Sequence, residues 1–122
     1  SYKMSKRLVI LSNHTLFAEG VASRLLQYPE RVDLRFVDPQ QADYLEQIQK
    51  IHPTAVIMDA ADTDSTQCCT LCDLLMALVN VTIIRLKVQS NDIQIVTSSQ
   101  RPLTEVRDII EIVEQSPHLL GS

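Results

Sequence analysis

Glycine is nearly missing from this sequence. Two occur in 122 residues, Gly20 and Gly121, where an average usage of about 7% would place roughly eight or nine. The shortage excludes several chemistries. A Walker loop, a G-x-G-x-x-G dinucleotide turn and a G-x-S-x-G nucleophile elbow all need glycine where backbone approaches phosphate or turns sharply, and none can be written here. Tryptophan is absent and aromatics make up 4%, which leaves no stacking platform for single-stranded nucleic acid. Positive charge is also short. Eleven Lys and Arg stand against fifteen Asp and Glu, a net charge of -4. Such a domain repels phosphate backbones, so no direct nucleic-acid contact is expected of it. No apolar run approaches the roughly 20 residues that span a bilayer, and no membrane partner is expected. The segment Ser1 to Arg7 is polar and lacks the apolar stretch of a signal peptide. Three cysteines, Cys68, Cys69 and Cys72, are odd in number and crowded, unlike a secreted disulfide framework. A reducing, cytoplasmic setting is expected.

What remains is an ordinary globular composition, 45% hydrophobic and 21% charged, of a length that suits one domain. The structured part is expected to run from about Lys6 to Ser116. Leu8 to Leu11 is a continuous apolar run, as in a strand buried on both faces. Thr15 to Tyr28 has helical spacing through Leu16, Phe17, Val21 and Leu25, with Asn13 or Thr15 as cap and Pro29 as stop. Val32 to Val37 reads as a strand and Gln40 to Ile51 as a helix. Ala55 to Met58 is a second two-sided strand, with Asp59 at its end. A polar loop from Asp62 leads to a helix over Thr66 to Asn80. Val81 to Val88 and Ile93 to Thr97 read as strands. Pro102 suits the first turn of a last helix with a stripe of Leu103, Val106, Ile109, Ile110 and Val113.

The order β-α-β-α-β-α-β-β-α implies a mostly parallel sheet with helices on both faces. One connection does not conform. Only four residues separate Val88 from Ile93, and a parallel crossover needs about a dozen. The last two strands must therefore form an antiparallel hairpin, without a helix between them. The expected fold is a flavodoxin-like three-layer sandwich of strand order 2-1-3-4-5.

The stretch R-L-V-I-L-S-N-H-T-L-F-A-E-G-V, Arg7 to Val21, resembles the start of response-regulator receiver domains. It is closest to those fused to helix-turn-helix DNA-binding domains, through His14, Leu16, Glu19, Gly20 and Val21. H-P-T-A-V-I-M-D, His52 to Asp59, is similar to the family's Pro-Asp-apolar-apolar-apolar-Asp strand and puts Asp59 at the phosphoacceptor position. Arg101-Pro102-Leu103, followed by Glu105-Val106, resembles the Lys-Pro segment before the family's last helix, with Arg101 as substitute for the Lys. The resemblance implies one receiver-like domain within a larger regulator.

The departures from the family pattern direct the functional expectation. The two acids that hold Mg²⁺ in the family are Ser12 and Asn13 here. Mg²⁺ takes hard oxygen ligands, usually one or two carboxylates with phosphate oxygens, so Mg²⁺ binding is expected to be weak or absent, and no other cofactor is expected. Metal assistance to phosphoryl transfer at Asp59 is lost with those acids. The family's Ser or Thr after strand four falls near Leu86-Lys87. The helix between the last two strands is deleted. This pattern resembles a pseudo-receiver: a non-enzymatic signalling module without catalytic residues. It would act through protein contact in a two-component or transcriptional regulator, with any DNA contact made by another domain.

Each candidate site has a plainer reading beside it. Asp59 is either a phosphoacceptor or a strand-end aspartate that caps the following loop, and the missing acids favour the second. Cys68, Cys69 and Cys72 make C-C-x-x-C on a helix, a possible redox or metal group. No fourth ligand is near, and small apolar residues packing on a helix explain them better. His14 reads as an exposed loop residue, Asp62 and Asp64 as solvated loop carboxylates. Gly20 fits close packing of the first helix. The strand Ile93 to Thr97 is an open edge that can pair with another chain. The deleted helix uncovers a sheet face, so a homodimer is expected. A phosphorylatable receiver with an atypical metal site at Asp59, and a small-ligand or redox sensor, are the alternative readings.

Overall fold

The computed structural model describes residues 5–12, 15–59, 65–87 and 90–116, with backbone only for Phe17 and residues 65–69. The apolar runs become strands: β1 (Lys6–Leu11), β2 (Val32–Val37), β3 (Ala55–Asp59), β4 (Val81–Lys87) and β5 (Asp92–Ser98). Between and after them stand α1 (Leu16–Leu25), α2 (Tyr44–Ile51), α3 (Ser65–Ala77) and α4 (Val106–Gln115). The five strands form one sheet in the order β2-β1-β3-β4-β5. β1, β2, β3 and β4 pair in parallel, and β4 pairs with β5 antiparallel. The chain is thus α/β with a mostly parallel sheet, as its alternating pattern predicts.

Strand alternation sends successive side chains to opposite faces. Val9, Leu11, Val56, Met58, Val81 and Ile83 face one side, where they pack with Ile48 of α2 and Leu74 of α3. Leu8, Ile10, Ile57 and Leu86 face the other, against Ala22 of α1. The central strands are therefore apolar on both faces. Among the described residues no polar or charged side chain is fully buried. No described helix is long and apolar enough to cross a membrane.

Local chemistry sets the helix ends. Thr15 caps α1, its Oγ1 accepting the Ala18 N–H at 3.1 Å. α1 ends at Leu25, three residues before the expected Tyr28, and residues 26–28 turn instead. α2 begins at Tyr44 rather than Gln40, because Asp38 first organises a turn: its Oδ1 accepts the Gln40 N–H at 2.9 Å and its C=O the Gln41 N–H at 3.1 Å. α2 closes on His52 in the left-handed region, φ 55° and ψ 60°. α3 stops at Ala77, short of the expected Asn80.

Two expectations need correcting. α4 does not start at Pro102 but four residues later. Asp108 Oδ2 accepts hydrogen bonds from the Thr104 N–H, the Thr104 hydroxyl and the Glu105 N–H, at 3.0, 2.8 and 3.1 Å. That set satisfies the open donors before Val106 and overrides the preference of proline for a first turn. The Thr104 hydroxyl bond, with the two backbone bonds, also holds the Asp108 carboxyl below its ordinary pKa. Gly20 serves no close packing. It is exposed, and a Cβ added there would meet nothing within 4 Å.

Candidate functional site

In a sheet of parallel strands, chemistry gathers at the carboxyl ends, where loops diverge and backbone groups open. Here that edge carries Ser12 after β1, Asp38 after β2, Asp59 at the end of β3 and Lys87 at the end of β4. Leu11 stands opposite Met58 in the β1–β3 register, so Ser12 and Asp59 follow as adjacent strand ends. Ser12 is held by its own N–H, which donates to the Val37 C=O at 3.4 Å. Its hydroxyl is buried and finds no hydrogen-bond partner among the described residues. Asp59 is half-buried and stands opposite Leu86 of β4.

Alternation separates the remaining groups. Asp59 shares its face with Ile57, the α1 side. Lys87 falls on the α2–α3 side, in step with Val81 and Ile83, and is exposed. Asp38 lies two strands from Asp59, with β1 between them, a backbone separation of about 10 Å at the usual strand spacing. Its carboxylate is already engaged by the Gln40 N–H.

Ser12, Asp38 and Glu19 line a cleft of about 150 Å³ between α1 and the β1–β2 ends, with Ala18, Phe36 and Val37 as walls. Sites for organic ligands usually run to about 300–1,000 Å³. The cleft formed by the described residues lies below that range. A wider depression of about 420 Å³ lies at the opposite edge, lined by Lys6, Leu25, Tyr28, Arg31 and Val32. No motif in the sequence points to it, because its residues come from the ends of three separate elements.

Mg²⁺ takes near-octahedral oxygen donors, usually with one or two carboxylates among them. The β1 end supplies a neutral serine, and among the described residues no three His, Cys, Asp or Glu side chains come together as a metal group. Asn13, His14, Asp62 and Asp64 lie outside the described residues.

Arg101 is not brought to Asp59. The antiparallel β5 returns to the start of β4, where Ser98 stands opposite Val81. The Gln100 N–H then reaches the Asn80 Oδ1 at 3.4 Å. Arg101 therefore follows at the amino-end edge of the sheet, while Asp59 stands opposite Leu86 at the other edge. Five residues of strand, roughly 17 Å, separate the two levels. Arg101 lies instead near Asp108, whose carboxyl it helps to hold ionised.

The cysteine cluster divides. Cys68 and Cys69 lie on α3, with side chains outside the described residues. Cys72 is a free thiol and exposed, so at that position the packing expectation is overturned. Leu71, Leu74, Leu75 and Leu78 take the core side of α3, and a residue between Leu71 and Leu74 points away from it. No family model matches the chain, and neither a curated protein nor a solved structure matches it.

Proposed function

We propose that this chain is a non-enzymatic signalling module of flavodoxin-like, receiver-like fold, working through protein–protein contact and dimerisation rather than through phosphoryl transfer. One observation carries the reading: the neutral Ser12 stands beside Asp59 at adjacent strand ends, where a phosphoacceptor would need acids and their metal. The geometry around it supports the same conclusion. Lys87 is on the other face, Arg101 is at the other edge, and Asp38 serves its own turn. An aspartate without those helpers is a strand-end carboxylate. The module belongs to a larger regulator in a reducing, cytoplasmic compartment, and any DNA contact is left to another of its domains.

The test is incubation with acetyl phosphate and Mg²⁺, and separately with beryllofluoride, followed by intact mass and amide NMR. The expected result is no modification and no shift that depends on Asp59, with Asp59→Asn as the control. Stoichiometric, Mg²⁺-dependent phosphorylation lost in Asp59→Asn would overturn the reading in favour of a working receiver.

A further inference from the structure

Among the described residues, two exposed apolar surfaces complement each other. The first is on α4. Val106, Ile109, Ile110 and Val113 recur at i, i+3, i+4 and i+7, the spacing of a stripe that faces a core. Arg107, Asp108, Glu111 and Glu114 lie on the other side, with Ile112, 40% exposed, beside Asp108. Yet none of the helix is buried, and Val106 and Val113 stand 73% and 63% exposed. A helix of ten residues is marginal alone in water. The capping set at Asp108 forms its first turn, but its apolar stripe faces solvent.

The second surface is on the sheet. Ile84 stands opposite Ile95, and Leu86 opposite Ile93, on the α1 side. Ile93 and Ile95 are 58% and 61% exposed. The other side of the same hairpin is closed, by the Arg85 guanidinium hydrogen-bonded to Gln94 and by Val96 packed on the α2–α3 core. The open face is therefore confined to one side, at the edge of the molecule. β5 itself carries no charged residue from Ile93 to Ser98, whereas the opposite edge strand, β2, carries the Asp33–Arg35 ion pair. Charge sits in the middle of one edge strand and only at the start, at Asp92, of the other.

We propose that two copies of this chain pair by exchanging α4, the apolar stripe of each lying over the β4–β5 face of the other. This deepens the reading of the chain as an interaction module and rests on it. The occupant is a second copy because each copy brings both halves of the contact, a stripe and a face of matching length and character. Residues 99–105 tether the helix, and the Gln100–Asn80 hydrogen bond fixes the tether's start at the sheet edge beside the open face. Size favours reciprocity. A ten-residue helix is about 15 Å long and about 10 Å across, a footprint of roughly 150 Å². One footprint falls far below the roughly 800 Å² per partner of a stable interface. A two-fold exchange engages a stripe and a face on each partner, about 300 Å² of footprint, and the adjoining β5 edges must supply the rest.

A photoreactive benzophenone amino acid in place of Ile110 tests the arrangement, in an equimolar mixture of ¹⁴N- and ¹⁵N-labelled chains. The expected result is cross-links from that position to peptides spanning 81–98, half of them in mixed-isotope pairs. Cross-links confined to one isotope would place the helix on its own sheet and overturn the exchange. Failure to reach 81–98 at all would overturn it too. In parallel, Ile95→Asp puts a charge in both copies of the contact and is expected to weaken association roughly a hundredfold or more in sedimentation velocity. Undiminished association in that variant would also overturn the proposal. Phosphorylation at Asp59 is read separately, so its outcome leaves the cross-links to decide the exchange.

Discussion

Gly20 occupies the middle of α1 with open space where a side chain would stand. A mid-helix glycine costs roughly 0.5–1 kcal/mol relative to alanine, through the freedom it loses on folding. Gly20→Ala is therefore expected to raise stability by about that amount in urea denaturation, with no change of fold. A loss of stability would mean that α1 meets a surface absent from this structure. Among the described residues, the two non-glycine positions where the backbone turns left-handed are His52 at φ 55° and Asn91 at φ 58°. Gly20 thus stands where the backbone does not need a glycine, while these two positions lack one that would relieve strain of about 1–2 kcal/mol. No pattern in the sequence forecasts that inversion. Asparagine in a hairpin turn is a familiar choice, but the histidine is held by position: its N–H reaches the Ile48 and Gln49 carbonyls that end α2. Side-chain direction was equally hidden at Cys72. A free cysteine usually packs, yet the leucines around it claim the core side and leave the thiol in water.

The strands and their pairing were the legible part. Val9 and Ile10, or Val56 and Ile57, point to opposite faces of one sheet, and only a strand covered on both sides carries apolar residues at both parities. The four-residue gap before Ile93 likewise dictated the antiparallel hairpin. Its consequence for Arg101 was available from the same spacing, since a reversed last strand delivers whatever follows it to the wrong edge. The start of α4 was less legible because two signals compete. Proline at 102 fits a first turn, but Asp108 gathers three donors before Val106, and satisfied donors decide where the helix begins. Helices also differ in what they support. Leu74 of α3 is fully buried between the sheet and α2, so Leu74→Ala removes packing that cannot be replaced. It is expected to cost about 2–5 kcal/mol of unfolding free energy. Ile110→Ala on α4 is expected to leave the unfolding of the single chain within about 0.5 kcal/mol, because its side chain is 54% exposed. Equal losses at the two positions would show that α4 is part of the cooperative core of one chain.

A chain with a net charge of -4 that pairs through apolar surfaces must bring like charges together. Its association should then respond to salt in the direction opposite to that of an ion-paired complex. Two centres of -4 separated by about 30 Å repel by roughly 2 kcal/mol in unscreened water. At 10 mM salt the Debye length is itself about 30 Å and leaves roughly 0.8 kcal/mol, while at 150 mM it is about 8 Å and leaves almost nothing. Dimerisation is therefore expected to tighten about fourfold between those concentrations, and to change little beyond them. The stripe of α4 and the Ile93–Ile95 face contribute no charge to this balance, so the trend reports the two molecules as wholes. Sedimentation equilibrium across a salt series measures it. Weakening with salt would mean that the contact is made of paired charges, such as Lys6 and Arg31 of one copy against carboxylates of the other. The depression those two residues line at the opposite edge would then become the interface.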